Sequence, residues 1–397
     1  MKKLLILGGD HFAIPVVEAA KAQGYYVITC DYLPDNVAHK YSDEFANFST
    51  TDKEGILAYA REKRIDGICT FTDSGVVTTA FVQQHLCLPQ IGPLESVEIL
   101  QNKDRFRAFL AKNGFNVPQA KGFSSVEDAM SESYWYPWPV IVKPTDSAGS
   151  KGVTRVNRLE DLRPALEYAM QFSVSKHVIV EEFIEKDGCS SDSDCFSVDG
   201  QLVVTSFSAQ RFDENADNPY APSAYTWPST FGDAREKELK MEVQRLLKLL
   251  GMKTSIYNVE TRIGKDGKAY IMEVSPRGGG NRLAEMVRFS TGADMITAAV
   301  RAAVGDDVTL FQKRLDGHWA EIILHSDQTG TFQDLSIKTE FKKYVYEEDL
   351  WVRPGAHVEK FTGANKAIGT MVLKFQTAEE LEYAITNQHE WLKLETI

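Results

Sequence analysis

Between residues 2 and 90 the chain alternates short apolar runs with longer stretches of helical periodicity. KLLILGG, YVITCD and GICTF predict buried strands; Phe12–Gln23, Glu54–Lys63 and Val76–His85 predict helices, the first ended by Gly24. Strands separated by single helices imply right-handed βαβ units and a parallel sheet, because a parallel neighbour needs a crossover. Asn102 and Gly114 bracket a further helix as N-cap and C-cap. Residues 117–184 then read as a small α+β unit containing VIVKP, GVTRV and HVIVEEFI. Asp199-Gly200 marks a hairpin, and leucines and a valine at helical spacing place a helix over Ala234–Leu250. Residues 211–230 show no periodicity and carry three prolines, so they read as a long irregular loop. From 317 to 375 the pattern is strand-rich, and Ala378–Leu392 reads as a closing helix.

At 397 residues the chain is long enough for two or three domains. Its net charge of −12 disfavours non-specific binding to nucleic acid or to an anionic membrane. A polyanionic small ligand therefore needs clustered cations or a metal ion. Five cysteines without C-x-x-C spacing argue against a disulfide framework or a cysteine zinc site. The start, MKKLLILGGDH, fits a buried strand better than a signal peptide, and no apolar run reaches about 18 residues. A cytoplasmic location without membrane or nucleic-acid partners is expected. The chain reads GGDHFA where a dinucleotide fingerprint needs G-x-G-x-x-G, so a nicotinamide site is not expected.

In Ile141–Val153, a strand delivers Lys143 into a loop holding Ser147, Gly149, Ser150 and Gly152. Small residues expose backbone N–H groups and glycine permits a tight concave path, which suits phosphate. On this stretch alone a plain turn fits equally well. Lys103 stands in the first turn of its helix, where the dipole disfavours a cation unless an anion shares that end. The segment 258–281 folds about Asp266-Gly267 into two alternating strands that set Glu260 opposite Glu273. In a regular register Val259, Thr261, Ile263, Tyr270, Met272 and Val274 form the apolar face, and the glutamates share the other with Arg262 and Ile271. Two carboxylates about 5 Å apart at an effective dielectric of about 20 repel by about 3 kcal/mol. Arg262 offsets part of this; a divalent cation does so better, and carboxylates without histidine or cysteine suit Mg²⁺. Arg277 and Gly278–Gly280 follow as a second place for close anion approach.

In this order the segments resemble the ATP-grasp superfamily, which includes biotin carboxylase, carbamoyl phosphate synthetase, glycinamide ribonucleotide synthetase, D-alanine–D-alanine ligase and bacterial L-amino acid ligases. The resemblance spans about residues 1–305 and rests on NKDRFRAFLAKNGFNVP, VIVKPTDSAGSKGV, VIVEEFI and NVE…IMEVSPR. It implies a mixed α/β and α+β ATP-grasp architecture. An N-terminal Rossmann-like parallel sheet and linker helix would occupy 1–115, a lid 116–184, a core with the metal hairpin 185–310, and a β-rich antiparallel lobe 311–397. ATP and Mg²⁺, with Mn²⁺ as an alternative ion, are the implied cofactors. Lys103 and Lys143 would contact phosphates, Ser147, Gly149, Ser150 and Gly152 would close over them, and Glu181, Glu182, Phe183 and Ile184 would hold adenine. Glu260 and Glu273 would bind metal, with Ser275 where the family often has asparagine. Asp192 or Asp194 would stand in for the family's ribose glutamate. Arg277 would steady the phosphorylated acyl group, and Arg277 and Lys143 are the implied catalytic residues. Asp73, Arg211, Gly278, Gly279, Gly280, Asn281 and Arg288 are substrate candidates. The implied reaction is ATP-dependent joining of a small-molecule carboxylate and an amine through an acylphosphate, with a homodimer compatible. A carboxylating or purine-pathway ligase, or a nucleotide-binding protein without turnover, keeps the same fold.

Overall fold

A computed structural model describes residues 1–147, 151–213, 218 and 220–397; the sequence-predicted Gly149 and Ser150 lie outside the described residues. The strand Lys3–Leu7 is central to an all-parallel sheet, with Tyr26–Asp31 on one side and Gly67–Thr70 on the other. Leu4 to Leu7 are fully buried because helices cover both faces of such a sheet. A fourth strand, Glu44–Asn47, pairs outside Tyr26–Asp31; its short polar sequence gives no apolar run to announce it. The 116–184 unit is an antiparallel sheet in the order Ala120–Phe123, Val178–Glu182, Val140–Pro144, Thr154–Val156. It has its own core, with Val142, Val180 and Leu166 of helix Leu162–Phe172 packed together.

The central sheet runs Gln201–Val204, Ser191–Val198, Ser255–Ile263, Ala269–Ser275, all antiparallel. Strand alternation gives its two faces different fates. Cys195, Tyr257, Val259 and Val274 join a core with helices Leu94–Gln101, Lys103–Lys112 and Asp233–Leu249. On the opposite face Phe196 and Ile256 pack against the helices Leu283–Thr291 and Met295–Ala303 and the N-terminal sheet. Further along that second face the residues turn acidic.

The hairpin Ser255–Ser275 corrects the regular register. Glu260 does face Glu273, but the register then slips: Thr261 faces Ile271 and Arg262 faces Tyr270. Met272 is the extra residue of a β-bulge, and an extra residue reverses the faces beyond it. Ile271 therefore enters the helix-covered core, whereas Tyr270 and Met272 pack with Ile184 on the other side. The turn is the three-residue Lys265-Asp266-Gly267, with Gly267 at φ 76° as such hairpins require.

A fifth-strand correction concerns 211–230. Pro222–Trp227 is not irregular: it is a buried strand between Ala209–Phe212 and His318–Leu324. The sheet continues to Gly369–Phe375 and Val345–Leu350, so the C-terminal lobe draws two strands from 209–227. Proline is tolerated at Pro222 because it is the first residue of the strand. The closing helix stops at Thr386, resumes briefly at Gln388–Trp391, and gives way to a strand, Leu392–Thr396, paired with Gly330–Ile337. Among the described residues no helix is long and apolar enough to cross a membrane.

The N-terminal sheet meets the core through Gly67. A β-carbon there would lie 2.1 Å from the Ala303 carbonyl oxygen. Gly67→Ala is expected to cost about 1–3 kcal/mol by forcing this packing apart, read as a lowered denaturation midpoint; an unchanged midpoint would show that the contact is not tight.

Candidate active site

The acidic end of the central sheet is an ordered grid. Glu260 is the register partner of Asp192 on one side and of Glu273 on the other. One row of three neighbouring strands thus carries three carboxylates. The next row holds Asp194, Asn258 and Ser275. Asn258 Nδ2 donates to Asp192 Oδ1 at 2.7 Å, and Asp194 accepts from the Gly279 N–H at 2.9 and 3.0 Å. Burial pushes the Asp192 and Asp194 carboxyls up to about 7, and for Asp192 the Glu260 charge adds to it. Glu260 is also raised, by burial first; Arg262 opposes this and Glu273 reinforces it. The Arg262 Nη2 is 4.0 Å from Glu260, too far for a hydrogen bond, while Nε and Nη1 donate to the Ser190 hydroxyl and the Ile184 carbonyl. Its compensation is therefore partial.

Cations approach from the helix Lys103–Lys112 and from the sheet that holds Val140–Pro144. Lys103 Nζ is 3.4 Å from Glu273 and donates to the Ser147 carbonyl at 3.0 Å. Four residues on, one helical turn along the same face, Arg107 donates to the Met272 carbonyl at 2.7 Å and to Glu181 at 3.0 Å. Lys143 pairs with the other Glu181 oxygen. Burial alone raises the Glu181 carboxyl, but Arg107 and Lys143 outweigh it and hold it at about 2. Burial lowers the Lys143 ammonium, opposed by Glu181. The Glu181 carboxylate therefore positions two cations, while the residue lines the same cleft as the rest of the expected adenine segment. Glu182, Phe183 and Ile184 line the same cleft, of about 370 Å³, as do Lys103, Lys143, Ser147, Glu260, Glu273 and Arg277.

Arg277 is buried, and its Nε and Nη2 donate to the two Asp73 oxygens at 2.8 Å each, with Nη1 on the Gly278 carbonyl. Those bonds use three of five guanidinium N–H groups and leave two. Burial raises the Asp73 carboxyl, and Arg277 more than reverses the effect. Ser275 does not line the cleft: its hydroxyl donates to Asp73 at 3.0 Å and accepts from Gln101 at 2.9 Å. That removes it from the metal set. Across the hairpin from it, Asn258 does face the cleft.

The remaining candidates divide. Asn281 lines the cleft with its Oδ1 buried and unpaired among the described residues, and Gly280 lines it with open space where a β-carbon would stand. Gly278 and Gly279 are packing positions: β-carbons there would meet Phe71 at 2.2 Å and Asn258 at 2.7 Å. Gly152 holds φ 73° against Pro144 and Phe172, also outside the cleft lining. Arg211 turns away to Glu382, while its neighbours Gln210 and Phe212 face the cleft. Arg288 is exposed over the Phe289 ring. Asp192 and Asp194, the expected ribose candidates, lie beside Glu260 and Asn258 in the acidic grid, and of the two Asp192 lines the cleft. Arg107, Lys151, Asn258 and Tyr225 are cleft residues that the motifs did not supply. Helical spacing from Lys103 was the available signal for Arg107.

Glu181→Gln leaves Arg107 and Lys143 buried without their anion. A carboxyl at about 2 folded and about 4.5 unfolded contributes stability that is complete above pH 4.5 and is lost as pH falls toward 2. The variant is expected to lose about 3 kcal/mol at neutral pH and to shed that part of the acid dependence. Denaturant titrations at pH 7 and pH 3.5 check this; equal stability at pH 7 would contradict the triad.

Residues 136–285 match the family model described as an ATP-grasp domain. The chain is 23% identical over 321 residues to the carbamoyl phosphate synthase large chain of Vibrio cholerae serotype O1, a match covering 76% of this chain but only 29% of that relative's length. It is 30% identical over 188 residues to the formate-dependent phosphoribosylglycinamide formyltransferase of Synechococcus sp. (strain WH7803), covering 47% of this chain and 48% of that one. The fold resembles that of the L-amino acid ligase of Bacillus licheniformis, with a TM-score of 0.82 at 22% identity over 100% of this chain and 99% of the other. It also resembles phosphoribosylglycinamide synthetase of Anaerococcus prevotii, with a TM-score of 0.78 at 19% identity over the whole of both chains. The family match is thus confined to residues 136–285, and the fold of the whole chain is that of these solved structures.

Proposed function

We propose that the protein is an ATP-dependent carboxylate–amine ligase that activates a small acid as its acylphosphate and forms an amide, releasing ADP and phosphate. The observation that carries this reading is the row Asp192, Glu260, Glu273 facing Lys103, Lys143 and Arg277 across one cleft. Adjacent carboxylates, with Asp192 and Glu260 raised in proton affinity by burial, fit a hard divalent ion, and an all-oxygen donor set suits Mg²⁺. Glu260 and Glu273 would hold it, with Asp192 and Asn258 beside them. When bound, Mg²⁺ neutralises phosphate charge and aligns the γ-phosphoryl group.

The chain's own residues supply the rest. Lys103 and Lys143 lie where phosphate oxygens would approach the glutamates, and Glu181 keeps Lys143 in place. Arg277 lines the cleft, and its two spare N–H groups would serve an acyl carboxylate receiving the phosphoryl group. Asp73, by holding one edge of that guanidinium, fixes the direction of the other. Positioning of this kind is the main source of rate in phosphoryl transfer. The Asn281 Oδ1 offers an acceptor for an amine N–H. An amine then displaces phosphate from the acylphosphate carbon: the C–N bond forms, the C–O bond to phosphate breaks, and the amine loses a proton.

A second reading keeps the phosphoryl chemistry and makes the acid a one-carbon species. The curated relatives favour it, since they are named for carbamoyl phosphate and formate. A screen of ADP release with amino acids, bicarbonate and formate, each with and without amines, and with product mass, separates the two. The ligase reading predicts ADP release that needs a carboxylate and an amine together. Glu273→Gln is expected to lower that rate by about 10²-fold or more, with an unchanged circular dichroism spectrum. A wild-type rate in this variant would contradict the metal assignment.

A further inference from the structure

A second cavity, of about 400 Å³, lies in the C-terminal lobe and shares no lining residue with the nucleotide cleft. Asp213, His325 and Asp327 each bring one donor atom to it, and these atoms lie within 4.8 Å of one another. His389 lines it too, with Nε2 3.9 Å from Asp213 Oδ1, while His325 Nε2 is 3.7 Å from Asp213 Oδ2. The donors come from places far apart in the chain. Asp213 follows the strand Ala209–Phe212, His325 and Asp327 follow His318–Leu324, and His389 lies in Gln388–Trp391.

His325 is held ready for a cation. Its side chain is 6% exposed, and its ring stacks on Phe361 at 4.1 Å. Nδ1 is 2.6 Å from the Ile323 carbonyl oxygen. A carbonyl only accepts, so Nδ1 carries the proton, and in the neutral ring Nε2 presents a lone pair. Among the described residues Nε2 makes no hydrogen bond; it faces the Asp213 carboxylate, itself 7% exposed. A shared proton would draw them to about 2.7–3.2 Å. Two ligands of one ion at about 2.0–2.2 Å each stand about 3–4 Å apart, and the His325–Asp213 pair is 3.7 Å apart. A backbone carbonyl on the far ring nitrogen is also the usual way a ligating histidine is oriented.

We infer that Asp213, His325 and Asp327, with His389 closing the set, bind a divalent first-row transition ion, for which Zn²⁺ is the best match to mixed imidazole and carboxylate donors. The donor set separates this site from the all-oxygen row in the nucleotide cleft. The ion would tie the start of the segment that leads to Tyr220 and Pro222, which line that cleft, to the C-terminal lobe.

The test uses the full chain, stripped with EDTA and dialysed, in millimolar Mg²⁺ to occupy the oxygen-only cleft. Zn²⁺ affinity is measured by competition with a chromogenic chelator, and coordination by the visible spectrum of the Co²⁺-loaded protein. The expected result is one Zn²⁺ bound per chain with Kd of about 1 μM or tighter. It should be weakened at least about 10-fold in both His325→Gln and Asp327→Asn, with the Co²⁺ band lost. Asp327 is exposed, so Asp327→Asn is expected to fold and keeps the test decisive if His325→Gln does not. Absence of Zn²⁺ binding in the wild type, or equal binding in these variants, would overturn the inference.

Discussion

A sheet that places Asp192, Glu260 and Glu273 side by side on one face is stable only if positive charge is brought to it. The rest of the site can be understood as ways of bringing that charge. Arg262 lies on the same face but is committed to a backbone carbonyl and a serine. Lys103 reaches over from the helix that covers the other face of the sheet, and protons taken up by Asp192 and Asp194 near neutrality relieve what remains. A metal ion with a polyphosphate ligand would replace those protons and engage the lysines at once. Binding and charge relief are then one event, which is what a site for a metal–nucleotide complex needs.

The Glu181 triad is the second layer. It buries one carboxylate against Arg107 and Lys143 where the 120–182 sheet, the helix Lys103–Lys112 and the central sheet meet. The β-bulge at Met272 matters here. The bulged strand offers the Met272 carbonyl to Arg107, while Met272 itself turns to the cleft side. A single irregularity in the hairpin thus links the paired glutamates Glu260 and Glu273 to the group that orients Lys143.

Much of this was legible in the sequence, for definite reasons. Polar and apolar residues alternate cleanly about Asp266-Gly267, so the opposition of Glu260 and Glu273 could be read from the chain. The first strand, its glycines and the capped helix at Asn102 were equally plain. The bulge was not, because one extra residue leaves no mark in composition. Asp192 and Asn258 were obscure as site residues because their meaning depends on which distant strand pairs with which. Pro222–Trp227 looked irregular because its partners, Ala209–Phe212 aside, lie about a hundred residues on and prolines flank it. Ser275 shows the converse case: its position in the motif suggested a ligand, but Gln101 and Asp73 take its hydroxyl.

The central claim is that the carboxylate row and the facing cations form one site for a metal–nucleotide complex. The most direct measurement is a crystal structure of the protein grown with Mn²⁺ and a non-hydrolysable ATP analogue, with the ion located by its anomalous scattering. The account predicts an anomalous peak within about 2.5 Å of carboxylate oxygens of both Glu260 and Glu273, with the terminal phosphate between that ion and Lys103, Lys143 and Arg277. A peak elsewhere, or a triphosphate bound away from these side chains, would contradict it.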